Sequence, residues 1–154
     1  MSHFHIALFE PEIPGNTGNI GRLSLGLDVT LHLIEPLGFD ISERAVRRAG
    51  IDHWKQVDLQ VHPDFKSFLE WAEGRRMHLF SKTGAKAYTQ LEVEKGDVLL
   101  FGCETRGLPA EFLAERGGWR IPLPGPARSL NLSNAVAVVS YHALRCVAPT
   151  LFEE

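Results

Sequence analysis

Runs of four or five β-favouring residues alternate along this chain with runs whose apolar residues fall at helical spacing. That alternation restricts the possible folds more than any other feature of the sequence. His5–Phe9, Thr30–Ile34, Val57–Val61, Met77–Phe80 and Val98–Gly102 read as strands, with a shorter piece at Trp119–Ile121. Between them, Thr17–Leu27 sets Ile20, Leu23 and Leu27 on one helical face. Ser42–Ala49 can start on Ser42 as an N-cap and carries Arg44, Arg47 and Arg48. Pro63–Glu73 places Phe65, Phe68, Leu69 and Ala72 at helical spacing and stops before Gly74. The pattern predicts an α/β fold, a mostly parallel sheet flanked by helices on both faces. With 154 residues and no repeat or linker, a single domain over 1–154 is expected.

The last element is ambiguous at first sight. Ala135–Val139 is rich enough in β-branched residues to be a buried strand. Ser133 and Asn134 are good N-caps, however, and the pattern runs on to Ala148, longer than most strands, so a helix is expected. It is apolar nearly all round and needs cover on two sides, for which a second copy of the chain is a natural candidate.

Sixteen Lys and Arg against nineteen Asp and Glu give a formal charge of −3, so any nucleic-acid role needs a local positive patch. The two cysteines, Cys103 and Cys146, have no metal-ligand spacing and build no disulfide framework. No metal is expected. The seven histidines are scattered in sequence; His3 and His5 could form a weak terminal metal site but read better as exposed strand residues. The densest apolar run is far too short to span a membrane, and the N-terminus lacks a signal-peptide pattern, so a cytoplasmic location is expected.

Three segments disobey local propensities, which is where functional or strained sites are found. In Pro14-Gly15-Asn16-Thr17-Gly18-Asn19-Ile20-Gly21-Arg22 a helix tolerates glycines that each cost roughly 1 kcal/mol relative to alanine. They permit close approach, either by another helix or by an anionic ligand at the helix N-terminus. In Leu100-Phe101-Gly102-Cys103-Glu104-Thr105-Arg106-Gly107-Leu108-Pro109 a strand ends where ligands of open parallel sheets bind. Glu104 there either faces a ligand, pairs with Arg106, or caps the helix beginning at Pro109. The third segment runs from Ile121 to Asn134. Its first half is stiffened by Pro122, Pro124 and Pro126, and its second offers Ser129, Asn131, Ser133 and Asn134. A long irregular stretch of this kind is either a binding loop or a plain surface loop. No P-loop, Gly-x-Gly-x-x-Gly or Gly-x-Ser-x-Gly elbow is present.

Taken together and in order, the three segments resemble the signature motifs of the SpoU branch of the SPOUT methyltransferases. More narrowly, the chain resembles the minimal subgroup that methylates the ribose 2′-OH of the tRNA wobble nucleotide and carries no added RNA-binding domain. The likeness runs from Phe9-Glu10-Pro11-Glu12-Ile13-Pro14-Gly15-Asn16-Thr17-Gly18-Asn19 to Ser129-Leu130-Asn131-Leu132-Ser133-Asn134-Ala135-Val136, with Gly38-Phe39 and Arg47-Arg48-Ala49-Gly50 inside it. At Ser81-Lys82-Thr83-Gly84 the subgroup often has two threonines before Lys-Gly instead.

The resemblance implies a deep C-terminal trefoil knot, which general topological rules would never suggest. It also implies a homodimer with Tyr141 at the interface, and S-adenosylmethionine held by Phe80, Ser81, Gly102, Ile121, Ser129 and Leu130. Asn16, Arg22, Glu104, Ser129 and Asn131 match the family's catalytic group. The tRNA partner is expected to contact Arg44, Arg47 and Arg48 on one short helix, with Arg106 and Arg128 near the pocket. The first three could equally be a solvated helix face. Two other readings stay open: a 2′-O-methyltransferase of ribosomal RNA, and a catalytically idle RNA-binding or ribosome-assembly factor.

Overall fold

The computed structural model describes residues 2–41 and 51–154. The predicted helix Ser42–Ala49, with Arg44, Arg47 and Arg48, lies outside the described residues. Seven strands form one sheet: β1 His5–Phe9, β2 Thr30–Ile34, β3 Leu59–His62, β4 Met77–Phe80, β5 Lys86–Ala87, β6 Val98–Phe101 and β7 Trp119–Arg120. Their spatial order is β3-β2-β1-β6-β4-β7-β5, and every pairing between them is parallel. Among the described residues four α-helices accompany them: α1 Pro14–Leu27, α2 Phe65–Trp71, α3 Ala110–Arg116 and α4 Leu132–Val147. The α/β alternation was therefore legible, although β5 carried no usable signal at two residues, and the third strand starts two residues later than its apolar pattern.

Both faces of the sheet are buried, which is why its central strands read as continuous apolar runs. Ile6, Leu8, Leu31, Leu33, Leu99 and Phe101 point to one side and pack with Ile20 and Leu27 of α1 and Val136, Val139, Ala143 and Leu144 of α4. Ala7, Phe9, Ile34, Val98 and Leu100 point to the other, against Phe68 of α2, with Phe112 and Leu113 of α3 at its margin.

Helix starts differ from expectation in informative ways. The first helix begins at Pro14, three residues early, because proline suits the first helical turn where its missing N–H costs nothing. The last begins at Leu132, capped by Asn131 and not by Ser133 or Asn134. The Asn131 Oδ1 accepts from the backbone N–H of Ser133 at 2.9 Å and of Asn134 at 3.4 Å, and from the Ser133 hydroxyl at 2.6 Å. Asp64 caps α2 by accepting from Ser67 N at 2.7 Å, and this helix ends at Trp71, short of Gly74.

Three of the seven histidines, separate in sequence, come together in space. Three neighbouring strands align His5, His32 and His62, with His5 Nδ1 2.9 Å from His32 Nε2 and His32 Nδ1 2.9 Å from His62 Nε2. His5 is half-buried, not exposed, and His32 is fully buried beneath Trp71, whose ring centroid lies 4.1 Å away. Burial first, then mutual repulsion with His5 and His62, pushes His32 down to about 2. Burial also lowers His5 and His62. Three neutral rings, one N–H each, satisfy both contacts in a single direction along the row.

One connection stands out. Residues 81–85 join β4 to β5, yet β7 lies between those two strands: Phe80 and Lys86 both pair with Trp119. Ser81 N donates to Trp119 O, Ala85 N donates to Gly118 O, and the Arg120 guanidinium donates to the carbonyls of Gly84 and Ala85.

Candidate active site

The direction of winding reverses between β1 and β6, since β2 and β3 lie on one side of that pair and β4, β7 and β5 on the other. The C-terminal ends at such a reversal open a crevice in parallel sheets. Two of the three irregular segments leave from here. Gly102 starts a turn that folds straight back on itself: a Cβ at Gly102 would lie 2.2 Å from the Gly107 carbonyl carbon and 2.3 Å from Leu108 N. Only glycine fits, and the turn pushes Glu104, Thr105 and Arg106 outward.

Glu104 neither pairs with Arg106 nor caps the following helix. Its Oε1 accepts from Glu12 N at 2.8 Å, and its Oε2 accepts from Ile13 N at 2.9 Å and Asn16 Nδ2 at 3.1 Å. Asn16 is 5% exposed, so this carboxylate fixes a buried amide at the start of α1. Contacts run the other way too. Glu12 Oε1 accepts from Thr105 N at 2.9 Å and Thr105 Oγ1 at 2.7 Å, and these bonds hold its carboxyl below the usual range. Arg106 reaches Glu10 at 3.3 Å. Glu10, Glu12 and Thr105 are thus parts of the site that sequence reasoning left unassigned. Acidic residues flanking a Pro-Gly-Asn helix start were the available signal.

The third segment arrives on the far side of α1. Asn19, Arg22, Leu23 and Gly26 of α1 and Ser133, Asn134, Ala137 and Tyr141 of α4 line an open groove of about 410 Å³. Arg22 is exposed and makes no ion pair or hydrogen bond among the described residues. Gly21 faces elsewhere: a Cβ there would lie 2.5 Å from the ring of Trp54, so this glycine serves packing.

The remaining predicted residues sit as follows. Phe80 and Phe101 stack at 4.8 Å at the ends of β4 and β6, and Ile121 packs on the same cluster. Ser81 Oγ turns back to Thr83, accepting from its backbone N–H at 3.2 Å. Ser129, Leu130 and Arg128 are exposed, and Tyr141 is 52% exposed. A second hollow of about 550 Å³, between α2 and α3 and lined by Leu69, Arg75 and Arg116 among others, contains none of the predicted site residues. Among the described residues no cluster of three His, Cys, Asp or Glu could hold a metal ion, and no helix is long and apolar enough to cross a membrane.

The model of the SpoU rRNA Methylase family matches residues 3–141, and the chain belongs to that family. Among its relatives, the tRNA (cytidine(34)-2′-O)-methyltransferase of Escherichia coli K12 is 45% identical over 145 residues, 92% of each chain. The enzyme of the same name from Saccharophagus degradans is 42% identical over 92% of this chain and 94% of its own. A solved structure concerning the 2-OH methylation of C/U34 on tRNA superposes with a TM-score of 0.89 at 47% identity, covering 93% of this chain and 95% of that one. An AdoMet-bound rRNA methyltransferase from Sinorhizobium meliloti superposes with a TM-score of 0.82 at 27% identity, over 93% of this chain and 56% of that one.

Proposed function

We propose that this protein transfers a methyl group from S-adenosylmethionine to the ribose 2′-OH of the wobble nucleotide of tRNA, a cytidine or modified uridine. One observation carries the reading: Arg22, which has no ion pair or hydrogen bond among the described residues, faces a groove on the same helix whose first turn is bonded to the loop after β6.

The residues at the strand ends fit the cofactor. The stacked, buried Phe80 and Phe101 back the strand ends with apolar surface, and Ile121 and side-chain-free Gly102 lie beside them. Rings and aliphatic surface of this kind suit a planar neutral base. Ser81, Ser129 and Leu130 complete the lining. When bound, the cofactor supplies an electrophilic methyl on a sulfonium centre.

The chain's own task is to place a ribose hydroxyl in line and to stabilise the charge that grows on its oxygen, which together can account for on the order of 7–11 kcal/mol of the barrier. A guanidinium stays protonated in proteins, so Arg22 acts electrostatically and not as a base. It holds the adjacent phosphate and stabilises the developing 2′-alkoxide, while the proton leaves to a phosphate oxygen or water. Asn16 and Glu104 fix the helix that carries Arg22. Ser129 and the free amide end of Asn131 face the nucleotide. Arg106 and Arg128, with Arg44, Arg47 and Arg48, contact tRNA phosphates, which makes affinity fall with salt.

The working unit is a homodimer in the cytoplasm, each chain a single domain. Val138 and Tyr141 on the outer side of α4, with Ile13, Leu151 and Phe152, leave apolar surface exposed that a second copy would cover. The passage of β7 between β4 and β5 supports a C-terminal trefoil knot. The test is to incubate the protein with labelled S-adenosylmethionine and, in parallel, bulk tRNA and ribosomal RNA, and to map the modified nucleotide by mass spectrometry. Label at the wobble ribose is expected; label confined to ribosomal RNA, or none with bound cofactor, overturns the proposal in favour of one of the two other readings.

A further inference from the structure

Two carboxylates cross between the loops at the sheet's reversal point. Glu104 holds the backbone N–H groups of Glu12 and Ile13, and Glu12 holds the backbone N–H and hydroxyl of Thr105, the residue that follows Glu104. Each acid therefore immobilises the segment that bears the other. Both oxygens of Glu104 are occupied by N–H donors, one of them the Asn16 amide, so its orientation depends on where the turn after Gly102 sits. The turn is itself short and anchored at its base by the Cys103–Gly107 bridge, with Gly107 N donating to Cys103 O at 3.0 Å. Its tip, by contrast, is exposed at Thr105 and Arg106 and is tied to the protein by Glu12 and Glu10. The Glu10–Arg106 pair is a surface ion pair at 3.3 Å, with the arginine side chain 65% exposed, and contributes little rigidity. The two-point contact from Glu12 is what fixes the tip.

We infer that Glu12 is a positioning residue for methyl transfer: by gripping Thr105 it sets Glu104, and through Glu104 the Asn16 end of the helix that carries Arg22. The inference rests on the function proposed above. Glu12 acts through Thr105, to which its carboxylate is bonded. Its effect falls on the alignment of two walls of the site, one ending at Gly102 and one leading to Arg22. Misplacement by an ångström in such an arrangement costs on the order of 100-fold in rate without a matching loss of binding.

The test compares Glu12→Ala, Glu12→Gln and Thr105→Val with the unmodified protein. The readouts are kcat and KM for tRNA, calorimetric binding of S-adenosylhomocysteine, and melting temperature. Glu12→Ala is expected to lower kcat about 30–100-fold while KM and product binding change less than about threefold. Glu12→Gln keeps the acceptor oxygen and is expected to restore kcat to within about fivefold, and Thr105→Val, which retains the backbone bond, to fall about three- to tenfold. Asp64→Ala, which uncaps α2 on the other face, calibrates how much lost melting temperature the rate tolerates. Normal kcat in Glu12→Ala, or in Thr105→Val should the alanine variant not fold, overturns the inference. So does a rate loss that merely tracks melting temperature as in Asp64→Ala. If the unmodified protein methylates no wobble nucleotide, the failure is of the proposed function, seen before any variant is made.

Discussion

The histidine row and the carboxylate clasp use the same means, side chains of distant segments bonded to one another, in opposite settings. The row lies inside the sheet under Trp71, its members aligned on β1, β2 and β3, with both inner contacts at 2.9 Å. It is neutral and closed upon itself. The clasp lies at strand ends, is ionic, and has its tip in water at Thr105 and Arg106. Buried polar groups that satisfy each other stabilise one arrangement of a core; ionised groups at a crevice aim loops. The first should register in stability and the second in rate.

Arg22→Lys offers the sharpest break between them. Losing the planar fork should lower kcat about 10²–10³-fold with the melting temperature unchanged, and a normal rate would remove Arg22 from the mechanism. Gly102→Ala comes next and blurs the distinction on purpose. Its Cβ would meet Gly107 and Leu108 backbone, so a loss of about 3 kcal/mol of stability is expected together with loss of cofactor binding by calorimetry. Retained binding heat would show that the turn can open.

His32→Leu tests the row. It leaves His5 and His62 each short of a partner and should cost about 2 kcal/mol in denaturant melts while kcat is retained. Its pH dependence is more telling. A histidine held below 6.5 in the folded state takes up its proton only on unfolding, so stability falls as pH drops below about 6.5. The slope is up to about 1.4 kcal/mol per pH unit for each such group, down to the folded value. For His32 that value is about 2, so the loss continues across the acid range. The leucine variant should show a shallower acid slope; an unchanged slope would mean that the row does not govern acid stability. Smallest of all, Asn131→Ala removes the cap of α4 and should cost about 1 kcal/mol. A kcat loss well beyond that would assign the amide a role with substrate as well as with the helix.

The reach of the sequence follows the same division. Strands with continuous Val, Ile, Leu and Phe runs were legible because two-sided burial favours such runs, as at β6. The three irregular segments were legible because their glycines and prolines contradict the elements around them. The histidine row was hidden, since His5, His32 and His62 are each unremarkable in their own strand and meet only through parallel register. Glu12 was hidden for a similar reason: its partner Thr105 lies 93 residues away. The start of α4 was misread by local cap preference, because Asn131 is as good a cap as Ser133 and lies earlier in the chain.

The place of β7 between β4 and β5 has a consequence for how the molecule is made. A ribosome releases β4, residues 81–85 and β5 well before Trp119 exists, so the gap between the two strands has to wait, or reopen, for a piece of chain synthesised later. Non-local pairings of this sort form late and slowly. A nascent chain that stops short of α4 can join Glu104 to Asn16, yet it owns only one wall of the groove that Arg22 faces. Both walls of the groove therefore exist only once the final helix has been made.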